Sequence, residues 1–240
     1  MISGWRANIG LLQTSHNPVI APEWYNKLPD EIAVHTSRFK LTAGTIEDID
    51  RAMQNYLPSA ELLVDADVDV ITFGATTLSL YQGKGYALEV EEEISERTGL
   101  PAVATAASVR RAFDAMGIES VVVATPYIDE LDQAVVDFYE GHGIEIIDLT
   151  DNLYISDDPN QMVDLHPASP YQQVRDLDYG DADGIFISCT NYRTFDIIDE
   201  LERDTGKPVI TSNQATLWDA LNTISVDYSP DDLGTLFREH

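Results

Sequence analysis

The stretch Gly184-Ile185-Phe186-Ile187-Ser188-Cys189-Thr190-Asn191 is an apolar run of strand length that ends in small polar residues around the chain's one cysteine. An earlier stretch, Asp69-Val70-Ile71-Thr72-Phe73-Gly74-Ala75-Thr76-Thr77, follows the same pattern and aligns with residues 183–191. In this alignment Ala75 stands opposite Cys189. Short apolar runs bounded by turn residues are typical of buried strands in parallel sheets. The chain therefore holds two versions of one strand-to-loop turn, of which only the second carries a thiol.

Two further pairs of segments extend the repeat. Thr98-Gly99-Leu100-Pro101 matches Thr205-Gly206-Lys207-Pro208, and residues 121–127 match residues 10–16 more loosely. The pairs occur in the same order, and their separation along the chain is nearly constant. This regularity favours an internal duplication.

Strand and helix patterns alternate along the chain. Strands are predicted over residues 7–13, 31–41, 68–73, 100–104, 120–124, 144–149, 184–188 and 208–211. Helices are predicted over residues 45–57, with a break at Pro58 and a restart over 59–64, and over 87–98, 106–116, 130–141, 172–177, 194–205 and 214–221. Residues 18–30 and 151–171 are predicted to be loops, the second a candidate lid, and residues 229–240 are expected to pack loosely.

This alternation predicts an α/β fold with two pseudo-symmetric, Rossmann-like halves, each built on a parallel sheet. The first half would comprise residues 1–105 with 213–240, and the second residues 106–212. Ligands of open α/β sheets bind outside the C-terminal ends of the strands. We therefore expect the active site in the cleft between the halves, where the turns of Ala75 and Cys189 meet.

The charge of the chain is unusual, with 42 acidic against 14 basic residues and a net charge of −28. Such a charge repels nucleic acid and anionic membranes, so neither is expected as a partner. The acidic residues are spread over the whole length, which is typical of a solvated surface rather than an interaction tail. We interpret them as an adaptation to high salt, with a cationic partner as the alternative.

The remaining composition predicts a cytoplasmic protein. No apolar run approaches the roughly 20 residues of a membrane helix, and residues 1–6 lack the pattern of a signal peptide. A single cysteine rules out an internal disulfide. No pattern in the sequence specifies an oligomeric state.

Cys189 is the first candidate for chemistry. It follows a strand and precedes a predicted helix that Asn191 could cap, so backbone N–H groups and the helix end would lower its pKa. The alternative is a buried, inert cysteine. Thr76 and Thr77 occupy the matching turn of the first half, as ligand-binding hydroxyls or as residues that merely cap the turn.

Other strand ends carry further candidates. Tyr127 follows the strand 120–124, where its phenol could donate to a carboxylate or pack as an ordinary half-buried tyrosine. Ser15, His16 and Asn17 occupy the equivalent place in the first half, and His16 could be a base or simply be solvated. The histidines show no metal-ligand spacing, and the chain has no glycine-rich phosphate loop.

Three segments carry a family resemblance: residues 74–83 (Gly-Ala-Thr-Thr-Leu-Ser-Leu-Tyr-Gln-Gly), residues 124–129 (Ala-Thr-Pro-Tyr-Ile-Asp) and Ser188-Cys189-Thr190. Through them the chain resembles the aspartate/glutamate racemase superfamily and, within it, the branch of maleate isomerases and arylmalonate decarboxylases. The resemblance covers essentially the whole chain. Racemases and maleate isomerases of this superfamily use two cysteines, one from each half, whereas arylmalonate decarboxylase keeps only the second. With Ala75 at the first position, this sequence looks like the one-cysteine form.

The resemblance also implies roles for the neighbouring residues. Thr76, Thr77 and Tyr127 would bind a substrate carboxylate, together with backbone N–H groups near Cys189 and Thr190. The decarboxylases have a glycine where this chain has Thr190, so the shape of the pocket is expected to differ there. No cofactor is implied.

The one-thiol pattern favours decarboxylation. Racemisation needs an acid and a base on opposite faces of the substrate, whereas loss of CO2 leaves an enediolate that needs only stabilisation and a proton. We predict a cofactor-independent lyase acting on a small malonate-type dicarboxylate, with Cys189 as the proton donor. The alternatives are a maleate-type or racemase-like isomerase, with Cys189 as a nucleophile in the maleate case, and a non-catalytic carboxylate-binding protein.

Overall fold

Eight parallel strands form two four-stranded sheets in the computed structural model, which describes residues 4–150, 165–166 and 168–240. The strands are β1 (Ala7–Thr14), β2 (Ile32–Phe39), β3 (Val70–Gly74), β4 (Ala102–Ala104), β5 (Ser120–Ala124), β6 (Glu145–Leu149), β7 (Gly184–Ile187) and β8 (Val209–Thr211). The first sheet has the order β2-β1-β3-β4 and the second the order β6-β5-β7-β8, so the second sheet repeats the topology of the first. The prediction of an α/β fold with two parallel sheets is confirmed.

Helices flank both sheets. In the described ranges they are α1 (Ile20–Lys27), α2 (Ile46–Met53), α3 (Leu57–Val64), α4 (Thr76–Leu80), α5 (Tyr86–Thr98), α6 (Thr105–Met116), α7 (Asp129–Gly141), α8 (Ala168–Asp176), α9 (Ile198–Thr205), α10 (Ser212–Thr223) and α11 (Gly234–Glu239). Strands β3 and β7 are buried along their whole length, as central strands are when helices cover both faces of a sheet. None of these helices is long and apolar enough to cross a membrane.

Helix α1 lies in the segment 18–30, where the sequence predicts a loop. Pro22, the second proline of the segment, lies in the first turn of the helix. Backbone N–H groups there have no intrahelical acceptor, so the missing N–H of proline costs no hydrogen bond. Ile20 and Trp24 are buried on one face of the helix. The side-chain carbonyl of Asn17 accepts the Val19 N–H at 2.9 Å and so supports the start of the helix. Apolar spacing and the Asn17 contact therefore outweigh the prolines.

Other boundaries also differ from the predictions. The predicted helix 194–205 begins only at Ile198, so residues 188–197 form a long turn after β7. Helix α8 takes up residues 168–171 of the expected loop, and residues 151–164 and 167 of the candidate lid lie outside the described residues.

The C-terminal segment is better packed than its polar sequence predicts. Helix α11 buries Leu236 and Phe237, and Arg238 pairs with Asp199 and Glu202 of α9 at 2.8 and 2.6 Å. The prediction of loose packing over residues 229–240 is therefore wrong for this helix.

Helices α6 and α10 begin directly after β4 and β8 and pack against each other. Arg111 of α6 donates to Glu91 of α5 at 2.6 Å and to Asp219 of α10 at 2.7 Å. Ser108 also donates to Asp219, at 2.7 Å. These contacts tie residues after 212 to α6, which the predicted division assigns to the second half, and the exact division of the chain into two halves stays a prediction.

Candidate active site

Strands β1, β3, β5 and β7, two from each sheet, end around one small cavity. Its volume is about 50 Å³. It is lined by Thr14, His16, Leu41, Gly44, Ala75, Thr76, Thr77, Leu78, Tyr127, Leu131, Cys189, Thr190 and Asn191. The structure therefore brings seven of the residues proposed from the sequence to one place, namely His16, Ala75, Thr76, Thr77, Tyr127, Cys189 and Thr190. Their chemical roles remain predictions.

Cys189 has an unusual backbone conformation, with φ at 130°. A positive φ costs a residue with a side chain about 1–3 kcal/mol, so the surrounding contacts must hold it. The Cys189 N–H donates to Ser212 Oγ at 3.1 Å, and the Cys189 carbonyl accepts from the Tyr192 N–H at 3.2 Å. The Cys189 N–H is thus engaged within the protein, although the resemblance implies substrate-binding N–H groups near this residue.

Burial raises the pKa of the Cys189 thiol to about 11. The Asn191 N–H, which lies 3.3 Å from Sγ, and the Tyr127 hydroxyl lower it by less. The sequence predicts a lowered pKa from a helix beginning right after the thiol. That prediction is wrong, because α9 begins only at Ile198 and desolvation of the thiolate outweighs the local donors. The thiol therefore keeps its proton at neutral pH.

The Tyr127 hydroxyl is buried beside this thiol. It contacts the side chains of Cys189 and Thr76, and Ser188 Oγ donates to it at 3.4 Å. Burial, followed by the nearness of Cys189, raises the pKa of Tyr127 well above its ordinary value. The phenol therefore stays protonated and is available as a hydrogen-bond donor.

Ser212 connects the two halves of the site. Its hydroxyl accepts from Thr76 Oγ1 at 2.9 Å and from the Cys189 N–H at 3.1 Å. Ser212 is the first residue of α10 and is fully buried. Ser212 was not predicted from the sequence, although it carries the signal found at Cys189, a small polar residue after an apolar strand, here β8.

Asn17 and Ser15 lie behind the cavity rather than on its wall. Asn17 Nδ2 donates to Thr190 Oγ1 at 2.9 Å, so it supports a residue of the wall. Ser15 Oγ donates to the Leu41 carbonyl at 3.1 Å and accepts from the Leu41 N–H at 3.3 Å. Ser15 therefore positions Leu41, while His16 itself lines the cavity.

The rest of the wall is apolar. Leu41, Leu78 and Leu131 line the cavity beside the hydroxyls and the thiol. The sequence analysis did not single out these leucines, because apolar residues at the end of a strand or the start of a helix look like ordinary core. The site thus combines a few polar groups with an apolar wall, as small-ligand sites usually do.

A larger hollow of about 630 Å³ lies away from this site, between α9 and α11. Its charged lining includes Arg238, which is already paired with Asp199 and Glu202. In the part of the chain that the structure describes, no group of three or more His, Cys, Asp or Glu side chains is placed to hold a metal ion. The cavity at Cys189 is therefore the stronger candidate for a catalytic site.

The chain is similar to two kinds of known enzyme. A family model described as arylmalonate decarboxylase matches residues 10–237. The arylmalonate decarboxylase of Bordetella bronchiseptica is 27% identical over 208 residues, which cover 81% of each chain. The maleate isomerase of Geobacillus stearothermophilus is 22% identical over 248 residues, covering 95% of this chain and 96% of that protein.

A solved structure shows the same fold. It is a cysteine-to-serine mutant of Nocardia farcinica maleate cis-trans isomerase with a covalently bound succinylcysteine intermediate. It superposes with a TM-score of 0.92 at 20% identity, covering 98% of this chain and 99% of that chain. The similarity extends over the two parallel sheets and the helices that flank them.

Proposed function

Because this chain belongs to the arylmalonate decarboxylase family, we propose that it is a cofactor-independent decarboxylase of a small malonate-type dicarboxylate. The observation that carries the proposal is the asymmetry of the cavity, where Cys189 supplies a thiol and Ala75 stands at the matching strand end of the other half. Racemisation would need a proton-transferring group on each side of the substrate. Decarboxylation needs a single proton donor.

The reaction follows from the groups around the cavity. Thr76, Thr77 and Tyr127 hold one carboxylate of the substrate, with Thr190 beside them. The bond from the α-carbon to the other carboxylate breaks, CO2 leaves, and the electron pair of that bond moves into an enediolate on the retained carboxylate. Hydroxyl donors stabilise the enediolate. The proton of the Cys189 thiol then moves to the α-carbon, and the thiolate regains a proton from water.

The protonation state of Cys189 supports its role as a proton donor. A thiol with a pKa of about 11 is protonated at neutral pH. It is nevertheless far more acidic than the carbon acid formed when the enediolate takes up its proton. A nucleophilic cysteine, by contrast, must react as the thiolate.

The apolar wall supports loss of the second carboxylate. A carboxylate placed against Leu41, Leu78 and Leu131 has exchanged water for hydrocarbon. Its departure as neutral CO2 relieves this desolvation. A lining that holds both polar groups and leucines thus fits the different fates of the two carboxylates.

A maleate-type isomerase is the second candidate, and the similarity to maleate isomerases over almost the whole chain favours it. Cys189 would add to the double bond as a thiolate, the former double bond would rotate, and elimination would release the trans isomer. The protonated thiol and Ala75 both favour decarboxylation over this reaction. A racemase-like isomerase would lack its second thiol. A protein that binds carboxylates without turnover is the third reading.

We also propose a salt-rich cytoplasm as the working environment. The net charge of −28 leaves a compact chain under strong self-repulsion, which dissolved salt screens within about 10 Å at 0.1 M and about 3 Å at 1 M. Activity assays therefore belong in molar salt.

One pair of assays separates the candidates. An aryl- or alkyl-substituted malonate is expected to release CO2, with incorporation of one solvent deuterium at the α-carbon in D2O, and Cys189→Ala is expected to abolish the release. Formation of fumarate from maleate without any decarboxylation would establish the isomerase instead. Binding of a dicarboxylate with turnover of neither substrate would establish the binding protein.

A further inference from the structure

Glu23 of α1 lies against the long turn that carries Cys189. Its Oε1 accepts from the backbone N–H groups of Thr194 and Phe195, the latter at 3.0 Å. Its Oε2 accepts from Asn213 Nδ2 at 2.6 Å. A single carboxylate therefore binds the far end of the turn and the start of α10 at once.

Asn213 extends this contact to the cavity wall. The same Nδ2 lies 3.3 Å from the carbonyl oxygens of Thr190 and Tyr192. Thr190 lines the cavity, and the Tyr192 N–H donates to the Cys189 carbonyl. A continuous series of hydrogen bonds thus runs from Glu23 to Thr190 and Tyr192, which follow Cys189 in the turn.

We infer that Glu23 is a positioning residue, whose ionised carboxylate holds the Cys189 turn in its reactive conformation. This inference rests on the proposed function only where it is tested by the rate of decarboxylation. Cys189 needs such support because its φ of 130° is strained. Among the described residues, the hydrogen bonds of Glu23 go to Thr194, Phe195 and Asn213, which do not line the cavity, so Glu23 acts through Asn213 and the turn.

Protonation of Glu23 changes this arrangement. A carboxylate accepts at both oxygens, whereas the protonated acid must donate from one of them. At Oε2 that donor would face the amide N–H of Asn213, so Asn213 would have to rotate and release Thr190 and Tyr192. Asn213 Oδ1, which has no hydrogen-bond partner in the described part of the chain, would accept the new proton after such a rotation.

Burial places the titration of Glu23 in an experimentally accessible pH range. Burial raises the pKa of Glu23 to about 7, the hydrogen bonds from Phe195, Asn213 and Thr194 lower it by less, and the Asp196 carboxylate raises it further. The charged groups near it are Lys27 on α1 and Arg193 and Asp196 on the turn. Lys27 is itself paired with Asp232 at 2.6 Å and, more loosely, with Asp196 at 3.8 Å.

The sign of the pH dependence follows. Ionised Glu23 holds the turn, so the rate constant for turnover is expected to rise as pH increases through about 7. In Glu23→Gln this rise is absent, because glutamine does not titrate and its amide N–H group meets Asn213 as the protonated acid would. Asp196→Asn removes a neighbouring negative charge, so the rise moves to lower pH while the rate at pH 8 is unchanged.

The test compares the wild type, E23Q and D196N between pH 5.5 and 8.5 by two measurements. The first is kcat for decarboxylation of a substituted malonate. The second is the rate of alkylation of Cys189 by iodoacetamide, read by mass spectrometry on the chain's one cysteine and independent of any substrate. E23Q is expected to lose about tenfold in kcat at pH 8 and to be alkylated several-fold faster there, because the turn is looser. Both differences from the wild type should shrink toward pH 6.

Each failure has a separate meaning. If E23Q is alkylated faster than the wild type but the wild type releases no CO2, the proposed function is refuted and the role of Glu23 stands. A loss in E23Q that is the same at every pH, accompanied by a lowered melting temperature, would show a merely structural role and overturn the inference. If E23Q does not fold, D196N decides, since an unshifted pH profile in that variant overturns the inference equally.

Discussion

The hydroxyl of Ser212 accepts the backbone N–H of Cys189 at 3.1 Å, although the two residues lie at the ends of different strands, β8 and β7. Ser212→Ala would leave that buried N–H without an acceptor and would free Thr76 Oγ1 as well. We expect a loss of about 1–3 kcal/mol in the free energy of unfolding. We also expect about a tenfold fall in kcat, because the strained backbone at Cys189 can relax. Denaturant unfolding and steady-state kinetics measure the two effects.

Thr72→Val is the matched control for that experiment. Thr72 is as buried as Ser212, and its hydroxyl donates to the Gly10 carbonyl at 3.0 Å within the first sheet, away from the cavity lining. Its loss should cost about 1 kcal/mol of stability with kcat unchanged. Equal falls in kcat for both variants would show that Ser212 acts only through stability.

The positive φ of Cys189 predicts that glycine at this position gives a more stable protein than alanine does, although either substitution removes the thiol that activity requires. Alanine retains the strain of a φ of 130°, whereas glycine adopts positive φ without steric cost. Cys189→Gly is therefore expected to be about 1 kcal/mol more stable than Cys189→Ala, although both lack the thiol and both should be inactive. Melting temperatures and denaturant midpoints of the two variants provide the comparison.

Ala75 offers the corresponding control in the other half. Its φ is −153°, an extended conformation in which glycine has no advantage. Ala75→Gly should therefore destabilise the protein by a few tenths of a kcal/mol to about 1 kcal/mol, since glycine gains more freedom on unfolding. If glycine made the protein more stable than alanine does at residue 75 as well as at residue 189, the assignment of strain to Cys189 would be contradicted.

The strand ends show why the sequence predicted so much of the cavity. In an α/β fold, small polar residues after an apolar strand are brought to the same edge of the sheet. That rule found Thr76, Tyr127 and Cys189, and applied after β8 it would also have found Ser212. The α/β order and the two sheets followed from the same alternation of patterns.

The sequence did not predict what depends on contacts between distant segments. Glu23 lies in a segment read as a loop because of its prolines, and its partners Thr194 and Asn213 are far away along the chain. The raised pKa of Cys189 likewise comes from burial by several elements together, which no local pattern records. Local rules therefore located the site, and tertiary contacts decided its electrostatics.

Tyr127 affects the acidity of the thiol. Its hydroxyl contact lowers the pKa of Cys189, against a larger increase from burial. Tyr127→Phe is expected to raise that pKa above about 11, because the thiolate loses a donor. Protein labelled with carbon-13 at the cysteine β-carbon gives one signal for the one cysteine. In the wild type this signal should not titrate between pH 6 and 9, and above that range it should begin to shift at a higher pH in Tyr127→Phe than in the wild type.

Tyr192→Phe serves as the control for this titration. The Tyr192 hydroxyl donates to Gln173 at 2.9 Å, whereas it is the Tyr192 backbone N–H that donates to the Cys189 carbonyl. Loss of the Tyr192 hydroxyl should leave the cysteine titration where it is. A cysteine signal that titrates near pH 7 in the wild type would contradict both the burial argument and the role of a protonated thiol.

Salt should stabilise this protein strongly. With a net charge of −28, repulsion among exposed carboxylates opposes the compact state, and added KCl screens it. We expect the melting temperature to rise steadily from 0.1 to 2 M KCl. Choline chloride of equal ionic strength separates screening from specific binding of potassium. A melting temperature independent of salt would contradict the interpretation of the acidic surface.

Ala75→Cys tests the pairing of the two strand ends. Ala75 and Cys189 line one cavity from equivalent turns of the two halves, so a second thiol at residue 75 would face the substrate from the first half. One thiol can then accept the α-proton of a product-like acid while the other donates. We expect exchange of that proton with solvent deuterium and gradual racemisation, both undetectable in the wild type. Ala75→Ser is the control of nearly equal size, because a hydroxyl is too weak an acid for this exchange. If the cysteine variant folds, binds the acid and takes up no deuterium, then Ala75 does not face Cys189 across the substrate, and the one-thiol argument for decarboxylation loses its structural basis.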